Sequence, residues 1–383
     1  MPTASYLLPL WDRAAEWACR IAMIRDAKRF LYLSTYYIEY DAYGDELLTA
    51  LLEAQRRGVE VNLLVDDFGQ RLGGVLMAAD VKASLNARLD ELTAAGAIVT
   101  SYQPTGFLQR CFGGGQHVKI QVSEAGEGIF GSSNITKSSF DGWNEYSVAL
   151  RGPIVATLLK SYRMIGGLVA DAHLLLLTDQ GTQPTDSVQL DYWFCNPNTH
   201  QGVWGPLGWQ GRNVVTERLI EMLETAQERI RLTCFYFKPV ESLLEALISA
   251  AQRGVQIDVY HSHRDALPAT DLPWIAAAAG YERLLDTGVR IYENLDGEHS
   301  KIVLVDEGWV AFGSYNFEDA AHDRLAEAML ATHDPRVITH AVSIFEQLNT
   351  YPGNIPVDTQ FLERLPTKLK LRCALLRRFK RWL

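Results

Sequence analysis

A set of six residues recurs in the chain at a fixed offset of 182 positions. The first copy consists of His117, Lys119, Gly131, Ser132, Asn134 and Glu145, and the second of His299, Lys301, Gly313, Ser314, Asn316 and Glu327. In the segments GQHVKIQV and GEHSKIVLV the His and the Lys are two residues apart in a strand-like run, so strand alternation points both side chains to one face. Each copy therefore presents an imidazole beside an ammonium group.

This duplicated set favours transfer of a phosphodiester group. If two similar halves pack about a pseudo-two-fold axis, both His, both Lys and both Asn converge on one pocket and surround a phosphorus atom with cations and hydrogen-bond donors. One neutral imidazole can attack phosphorus while the opposite, protonated imidazole gives its proton to the leaving alkoxide, and the roles reverse for the incoming alcohol. The Ser and Asn of the turns FGSSN and FGSYN offer further donors that suit phosphate oxygens.

Each imidazole also needs an acceptor at its other ring nitrogen to fix its tautomer. Glu145 and Glu327 lie 28 residues after the His of their own copy, and we expect a strand beside each His strand to deliver them. Two imidazoles in one pocket titrate as a coupled pair. The scheme requires no metal ion and no cofactor, and the five widely spaced cysteines indicate neither a zinc cluster nor a disulfide framework.

The elements around these motifs repeat as well. AKRFLYLSTYYI predicts a strand, DELLTALLEAQRRG a helix ending at Gly58 and VEVNLLVDDFG another strand, and QERIRLTCFYF, VESLLEALISAAQRG (ending at Gly254) and VQIDVYHSH repeat that order. A further helix and strand follow in each half, ASLNARLDELTAAG with AIVTSYQP and WIAAAAGYERLLDTG with VRIYENL. The alternation predicts an α/β fold of two pseudo-symmetric α/β/α sandwich halves, each with a largely parallel sheet, and an active site at their interface. We place the N-terminal half at 1–185, the C-terminal half at 186–355 and a basic amphipathic tail at 356–383.

Composition and charge indicate where the protein is located and which partners it binds. The chain is 48% hydrophobic and 21% charged, as in soluble globular proteins, and no apolar run reaches the roughly 18 to 20 residues of a membrane span. The net charge is −10, but the last sixteen residues hold seven Lys or Arg and no acid, so the rest of the chain carries −17. Residues 367–383 mix these cations with Leu, Phe and Trp, which is typical of a helix on an anionic membrane surface, although an ordinary helix docked on the core has the same pattern. We expect a cytoplasmic protein, peripheral on the inner face of the membrane, that binds no nucleic acid.

The motifs themselves resemble a known family. H-x-K, an acid five residues after the Lys and then G-S-x-N are similar to the duplicated signature of the phospholipase D superfamily, with Asp306 as the acid in the second copy and Glu124 in the first. The resemblance implies that this acid is mainly structural, that His117 is the nucleophile and that His299 is the acid. YYIEYDAYGDELLTALLEAQRRGVEVNLLVDDFG and YFKP look like bacterial cardiolipin synthases, which implies transfer of a phosphatidyl group from one phospholipid to the hydroxyl of another.

Four functions stay open at this point. The first is a phosphatidyltransferase of the cardiolipin synthase type, acting through a phosphohistidine on a phospholipid such as phosphatidylglycerol, and the second uses water or a small alcohol as the acceptor. The third is a nuclease of the same superfamily, which the acidic body disfavours. The fourth is a membrane-binding protein without activity, which the intact His, Lys and Asn of both copies disfavour. The aromatic residues Tyr36, Tyr37, Phe235 and Tyr236 are interpreted as core packing at strand ends.

Overall fold

The computed structural model describes residues 2–179, 187–199, 212–267 and 270–376. The elements of the N-terminal half are β1 (Thr3–Ala4), β2 (Tyr6–Leu10), α1 (Arg13–Asp26), β3 (Phe30–Thr35), α2 (Ala42–Arg56), β4 (Glu60–Asp66), α3 (Asp67–Leu76), α4 (Ala79–Ala94), β5 (Ile98–Tyr102), α5 (Phe107–Cys111), β6 (Gly115–Gln116), β7 (Lys119–Ser123), β8 (Glu127–Gly131), a π-helical turn (Ser138–Gly142), β9 (Ser147–Arg151), α6 (Ile154–Met164) and α7 (Asp171–Asp179). The elements of the C-terminal half are β10 (Val188–Gln189), β11 (Asp191–Cys195), α8 (Val214–Glu224), β12 (Arg229–Cys234), β13 (Phe237–Lys238), α9 (Glu241–Gln252), β14 (Gln256–Ser262), a 3₁₀ turn (Arg264–Ala266), α10 (Leu272–Ala278), α11 (Tyr281–Leu285), β15 (Arg290–Asn294), β16 (Ile302–Val305), β17 (Trp309–Gly313), β18 (Phe317–Glu318), α12 (Asp319–Asp323), β19 (Leu325–Thr332), α13 (Pro335–Thr350), β20 (Asn354–Val357), α14 (Phe361–Arg364) and α15 (Thr367–Leu376). The division proposed after residue 185 lies outside the described residues.

The two large sheets have the same strand order. In the first sheet the order is β2-β9-β8-β7-β3-β4-β5, and in the second it is β11-β19-β17-β16-β12-β14-β15, with β20 added at the edge. Corresponding strands run in the same relative directions, since β3 is antiparallel to β7 and parallel to β4, just as β12 is antiparallel to β16 and parallel to β14. The sequence repeat is thus a repeat of topology.

The prediction of a largely parallel sheet is wrong. Along these two orders of described strands, only β3, β4 and β5 and, in the second sheet, β12, β14 and β15 pair in parallel, while the other neighbours are antiparallel. Outside the main order, β6 adds a short parallel pair with β19. Three residues join β7 to β8, and three join β16 to β17. A parallel pair needs a crossover of a dozen or more residues, so these connections allow only antiparallel hairpins.

The helix ends follow the local sequence. The helices α2 and α9 are each followed by a glycine at the second position after the last helical residue, Gly58 with φ 92° and Gly254 with φ 94°. Only glycine adopts this left-handed conformation without steric cost, so both positions terminate the helix. The segment WIAAAAGYERLLDTG, predicted as one helix, forms the two short helices α10 and α11, because Gly280 has a low helix propensity and separates them.

Helices cover both faces of each sheet. Leu31 and Leu33 of β3 pack against the outer helices α1 and α2, whereas Phe30 and Tyr32, on the opposite face of the strand, pack into a central cluster with α6, α7 and α13. The central cluster contains residues of both sheets, and a third cluster packs α8, α9 and α10 on the outer face of the second sheet. The two halves therefore lie face to face, and the predicted α/β class and two-half architecture are confirmed.

The C-terminal helix α15 docks on the second half. Leu369 and Cys373 are buried in the cluster that contains α10, and the Arg372 guanidinium donates to both carboxylate oxygens of Asp271 at 2.7 and 2.8 Å. Leu371 and Leu375, on the other side of the helix, are 72% and 69% exposed. The part of the predicted tail at 377–383 lies outside the described residues. Among the residues placed in the structure, no helix is long and apolar enough to cross a bilayer.

Candidate active site

Two short parallel bridges across the interface between the halves position the histidines. The strand β6, directly before His117, pairs with the start of β19, and the backbone N–H of His117 donates to the Ala326 carbonyl at 2.8 Å. At the pseudo-symmetric position Asn144 forms a parallel bridge with Glu298, and the backbone N–H of His299 donates to the Asn144 carbonyl at 2.9 Å. Both imidazoles line one cavity between the halves.

The carboxylate that holds each imidazole comes from the opposite half. Nδ1 of His117 lies 3.0 Å from Oε1 of Glu327 and 3.0 Å from the Ser314 carbonyl, and Nδ1 of His299 lies 2.8 Å from Oε2 of Glu145. Because the partners are acceptors, each Nδ1 carries the proton, and each Nε2 keeps its lone pair. The prediction that a strand beside the His strand of the same half brings the Glu to the His is wrong, because β8 separates β9 from β7.

The serines of the Gly-Ser turns hold these carboxylates. The Ser132 hydroxyl donates to Oε2 of Glu145 at 2.5 Å and accepts the backbone N–H of Tyr146 at 2.9 Å. Ser314 donates to Oε2 of Glu327 in the same way. The sequence suggested that these hydroxyls suit phosphate oxygens, but here they are engaged in fixing the glutamates.

The two lysines are almost completely buried beneath the histidines. Nζ of Lys119 donates to the His117 carbonyl at 2.8 Å, and Nζ of Lys301 donates to the His299 carbonyl. Burial, together with the charge of Lys301, lowers the pKa of Lys119 to about 7. Burial also lowers the pKa of Lys301 to about 8, although the charge of Glu145 acts in the opposite direction. Burial disfavours the charged form of both lysines, so a nearby anion would stabilise their charges.

The two His–Glu pairs differ in their electrostatics. Burial lowers the pKa of both imidazoles, that of His299 to about 4 and that of His117 well below its ordinary value. Burial would raise the pKa of Glu145, but the charges of His299 and Lys301 and hydrogen bonds outweigh it and lower that pKa to about 2. Burial raises the pKa of Glu327 well above its ordinary value. The His299–Glu145 pair thus retains a firmly ionised carboxylate that favours a proton on the imidazole.

The two asparagines complete the duplicated set. Asn134 and Asn316 line the cavity, and the buried Oδ1 atom of each has no hydrogen-bond partner within the described part of the chain. Their amides can therefore offer polar atoms to a ligand in the cavity.

The cavity has a volume of about 460 Å³ and is lined largely by apolar side chains. The Tyr36 ring meets His117 edge-on at 4.9 Å, and the Trp143 ring stacks on His299 at 5.0 Å. The four aromatics interpreted as core packing, Tyr36, Tyr37, Phe235 and Tyr236, all line the cavity. Their matching positions directly after the first strand of each repeat were the signal for this role.

The cavity also contains a cation that breaks the pseudo-symmetry. Lys238 lines the wall with its Nζ 3.3 Å from Oε2 of Glu318. The corresponding position of the first repeat holds Glu39, one residue after the buried Ile38. Lys238 lines the cavity, whereas its counterpart Glu39 does not, so this cation is supplied by the second repeat alone.

The acids that follow the H-x-K segments lie in turns away from the cavity. Asp306 accepts the backbone N–H groups of three successive residues, Gln227, Glu228 and Arg229, at 2.7, 2.8 and 2.7 Å. Glu124 accepts the backbone N–H of Lys28 at 2.7 Å at the equivalent place. Both carboxylates join the hairpin after the H-x-K segment to the start of the first strand of the repeat, which is a contact within the fold and not with a ligand.

Two halves of one topology, each giving a His and an Asn to a shared interface cavity and burying the Lys of the same H-x-K segment next to it, define the duplicated phospholipase D fold. A family model described as "Cardiolipin synthase, PLD-like domain" matches residues 21–163 and 219–349. The chain belongs to this family of phospholipase D-like phosphatidyltransferases, as the motifs predicted.

Individual relatives agree with this assignment. Cardiolipin synthase B of Salmonella typhimurium is 26% identical over 335 residues, covering 81% of this chain and 72% of the relative. A cardiolipin synthase of Geobacillus kaustophilus is 29% identical over 315 residues, covering 78% of this chain and 57% of the relative. The crystal structure of a phosphatidylserine synthase from Haemophilus influenzae superimposes with a TM-score of 0.74 over 99% of this chain and 95% of that one, and at 16% identity it shows the shared fold alone.

Proposed function

We propose that this protein transfers a phosphatidyl group from one phospholipid to the hydroxyl of another, as a cardiolipin synthase does, with phosphatidylglycerol as donor and acceptor. The observation that carries the proposal is the pair of imidazoles in one cavity, each fixed through Nδ1 by a glutamate of the opposite half. This arrangement leaves two Nε2 atoms available to a single phosphodiester, and the lysines beneath them supply positive charge.

In the first step, Nε2 of His117 attacks phosphorus, and the bond from phosphorus to the leaving oxygen breaks. Protonated His299 gives its proton to that oxygen, so glycerol leaves as a neutral alcohol and a phosphatidyl-histidine remains. In the second step, His299 takes the proton of the acceptor hydroxyl, the acceptor oxygen attacks phosphorus, and the bond from phosphorus to His117 breaks. The donor therefore loses one alcohol, the acceptor gains one phosphatidyl group, and both imidazoles return to their first state.

The difference between the two His–Glu pairs supports this assignment of roles. A nucleophile must be neutral, and burial together with the charges of Lys119 and Lys301 lowers the pKa of His117 strongly. An acid must hold a proton. Burial lowers the pKa of His299 to about 4, but the ionised Glu145 acts in the opposite direction and favours the protonated form. When the anionic phosphodiester enters, its charge favours the proton on His299 as well.

The location we propose is the inner face of the membrane, with the protein peripheral on an anionic bilayer. The described part of the tail supports this, since α15 is held to the body by Leu369, Cys373 and Arg372 yet exposes Leu371 and Leu375. A helix that both docks and exposes leucines among cations can sit between the protein and a lipid surface.

The test of the reaction is mass spectrometry of lipids after the purified protein is incubated with phosphatidylglycerol. We expect cardiolipin and glycerol in equal amounts. Phosphatidic acid without cardiolipin would mean that water is the acceptor, and no lipid product at any pH between 5 and 9 would refute the assignment.

The test of the nucleophile is intact-protein mass spectrometry of reactions quenched with denaturant at alkaline pH, because the P–N bond of a phosphohistidine hydrolyses in acid. A phosphatidyl adduct is expected on the wild type but not on His117→Ala. His299→Ala lacks the acid of the first step and the base of the second, so it should form the adduct more slowly and also lose it more slowly. His261→Gln is a matched control, because His261 is an equally buried histidine that contacts Tyr281 and lies outside the cavity lining. An adduct on His117→Ala would exclude His117 as the nucleophile.

A further inference from the structure

Large apolar side chains are exposed together on the N-terminal half where the cavity opens. They belong to α3 and α5, and we call them the apolar rim: Phe68, Leu72, Val75, Phe107 and Leu108, with exposed fractions of 38%, 42%, 77%, 69% and 40%. The members on α3 are spaced by four and three residues, so they follow one face of the helix. Apolar side chains concentrated in this way on a surface mark an interaction site.

The apolar rim is continuous with the cavity wall. Phe68 and Leu72 belong to the rim and also line the cavity, and Leu76 extends the wall along α3. The backbone at Gly113, which follows α5 and lines the cavity too, lies against the Phe68 ring and so joins the two helices. Phe68 and Leu72 therefore connect the wall of the cavity that holds the histidines to the outer surface.

Cations accompany the rim although the body of the protein is acidic. Arg71 is exposed on α3 with its guanidinium 5.9 Å from the Phe68 ring, and it also pairs with Asp67 at 2.8 Å. Lys82 packs its ammonium group against the α3 backbone at Gly74, and Arg110 is exposed on α5. Apolar side chains bordered by Lys and Arg are complementary to the surface of an anionic bilayer.

The opposite wall of the cavity leads to the basic helix α15. Thr270 and Pro273 line the cavity, and Asp271 between them holds Arg372 of α15. The apolar rim thus belongs to the N-terminal half and shares residues with the cavity wall, whereas α15 is attached to the C-terminal half through Asp271, next in the chain to the wall residue Thr270.

We propose that the apolar rim docks directly on an anionic phospholipid bilayer, with Val75 and Phe107 inserted among the lipids, so that a phospholipid enters the cavity without its acyl chains crossing water. The proposal rests on the proposed function, because a phospholipid substrate has acyl chains that need an apolar surface next to the cavity. A cavity of about 460 Å³ accommodates the phosphodiester end, and the rim continues the apolar surface to which the acyl chains extend.

The test is co-sedimentation with vesicles, using the variant Val75→Glu/Phe107→Glu. Neither residue lines the cavity, and both side chains are more than two-thirds exposed, so the fold tolerates the change. We expect the variant to bind mixed phosphatidylglycerol and phosphatidylcholine vesicles at least tenfold more weakly than the wild type. Leu175→Glu is the matched control, a leucine on α7 that is 63% exposed, and it should bind within twofold of the wild type.

Turnover measured with two forms of phosphatidylglycerol distinguishes a failure of this proposal from a failure of the proposed function. With a short-chain phosphatidylglycerol kept monomeric below its micelle concentration, the variant should match the wild type, whereas with vesicles it should lose turnover in parallel with binding. If the variant binds vesicles as well as the wild type does, the apolar rim is not a membrane-docking surface. If the wild type is a dimer and the variant is a monomer that still binds vesicles equally well, the rim is an interface between two copies of the chain. If the wild type processes neither form, the proposed function itself fails, whatever the binding results.

Discussion

The pairing of each histidine with a glutamate of the opposite half makes a sharp prediction for Glu145→Gln. The change keeps the shape of the side chain but removes the negative charge 2.8 Å from Nδ1 of His299. The altered residue lies in the N-terminal half, whereas the titration that should change belongs to a histidine 154 positions later. No arrangement confined to one half would couple these two residues.

The expected size of the pKa shift of His299 and of the loss in kcat/KM follows from the strength of its buried hydrogen bond to Glu145. Glu145 is fully buried, and a hydrogen bond to a charged group contributes about 1.5 to 3 kcal/mol. At about 1.4 kcal/mol per pKa unit, losing the charge lowers the pKa of His299 by about 1 to 2 units. If the same free energy is lost from the transition state, kcat/KM falls about 10- to 150-fold.

The assay is phosphatidyl transfer as a function of pH, with detergent-dispersed lipid. The alkaline limb of kcat reports loss of the proton from the acid in the enzyme–substrate complex, and since Glu145 favours the protonated imidazole, this limb should move to lower pH in Glu145→Gln. Glu293→Gln is the control, since Glu293 is a buried carboxylate that contacts Trp274 and Tyr281 away from both histidines. An unmoved limb together with a loss in kcat/KM below threefold would refute the reasoning.

Three further predictions concern the lysines, the turn acid and the tail. The pKa values of Lys119 and Lys301 are lowered from 10.5 to about 7 and 8, so above pH 7 the unfolded chain binds more protons than the folded one. The contribution of these lysines to the free energy of unfolding therefore rises from pH 7 to 9. Urea titrations should show a flatter rise of the free energy of unfolding with pH in Lys119→Met than in the wild type. Asp306→Ala should lower the free energy of unfolding by about 1 to 2 kcal/mol, because the hydrogen bonds from three backbone N–H groups are lost. The kcat of the folded fraction should stay within twofold of the wild type. A normal stability with a large loss of kcat would contradict the structural role. Leu371→Gln/Leu375→Gln should weaken vesicle sedimentation while the thermal midpoint stays within 2 °C, and unchanged vesicle binding would remove α15 from the membrane contact.

Much of the fold was readable in the sequence because local patterns repeat. Alternating and helical periodicities placed β3, α2, β4 and their counterparts in the second half, and the glycines after α2 and α9 ended both helices as expected. The share of parallel pairing in each sheet was overestimated, since strand periodicity is the same in parallel and antiparallel pairs and only the connections distinguish them. The α10–α11 break was missed for a related reason, because helical periodicity continues through Gly280 and only the backbone reveals the interruption.

The walls of the cavity were less predictable than its centre. Tyr36 and Phe235 are both buried and cavity-lining, and burial alone gives the same apolar pattern whether a side chain faces the core or a ligand. The apolar rim on α3 and α5 depends on two helices meeting beside an opening, which no local pattern encodes.

By itself the sequence determined that the protein is duplicated, that each copy brings one His, one Lys and one Asn, and that these residues suit a phosphodiester. Only the tertiary structure decided which glutamate serves which histidine. When both halves carry the same residues at the same spacing, pairing within a half and pairing across the interface leave identical sequences. The choice is made by the backbone bridges between β6 and β19 and between Asn144 and Glu298, which form only when the halves come together.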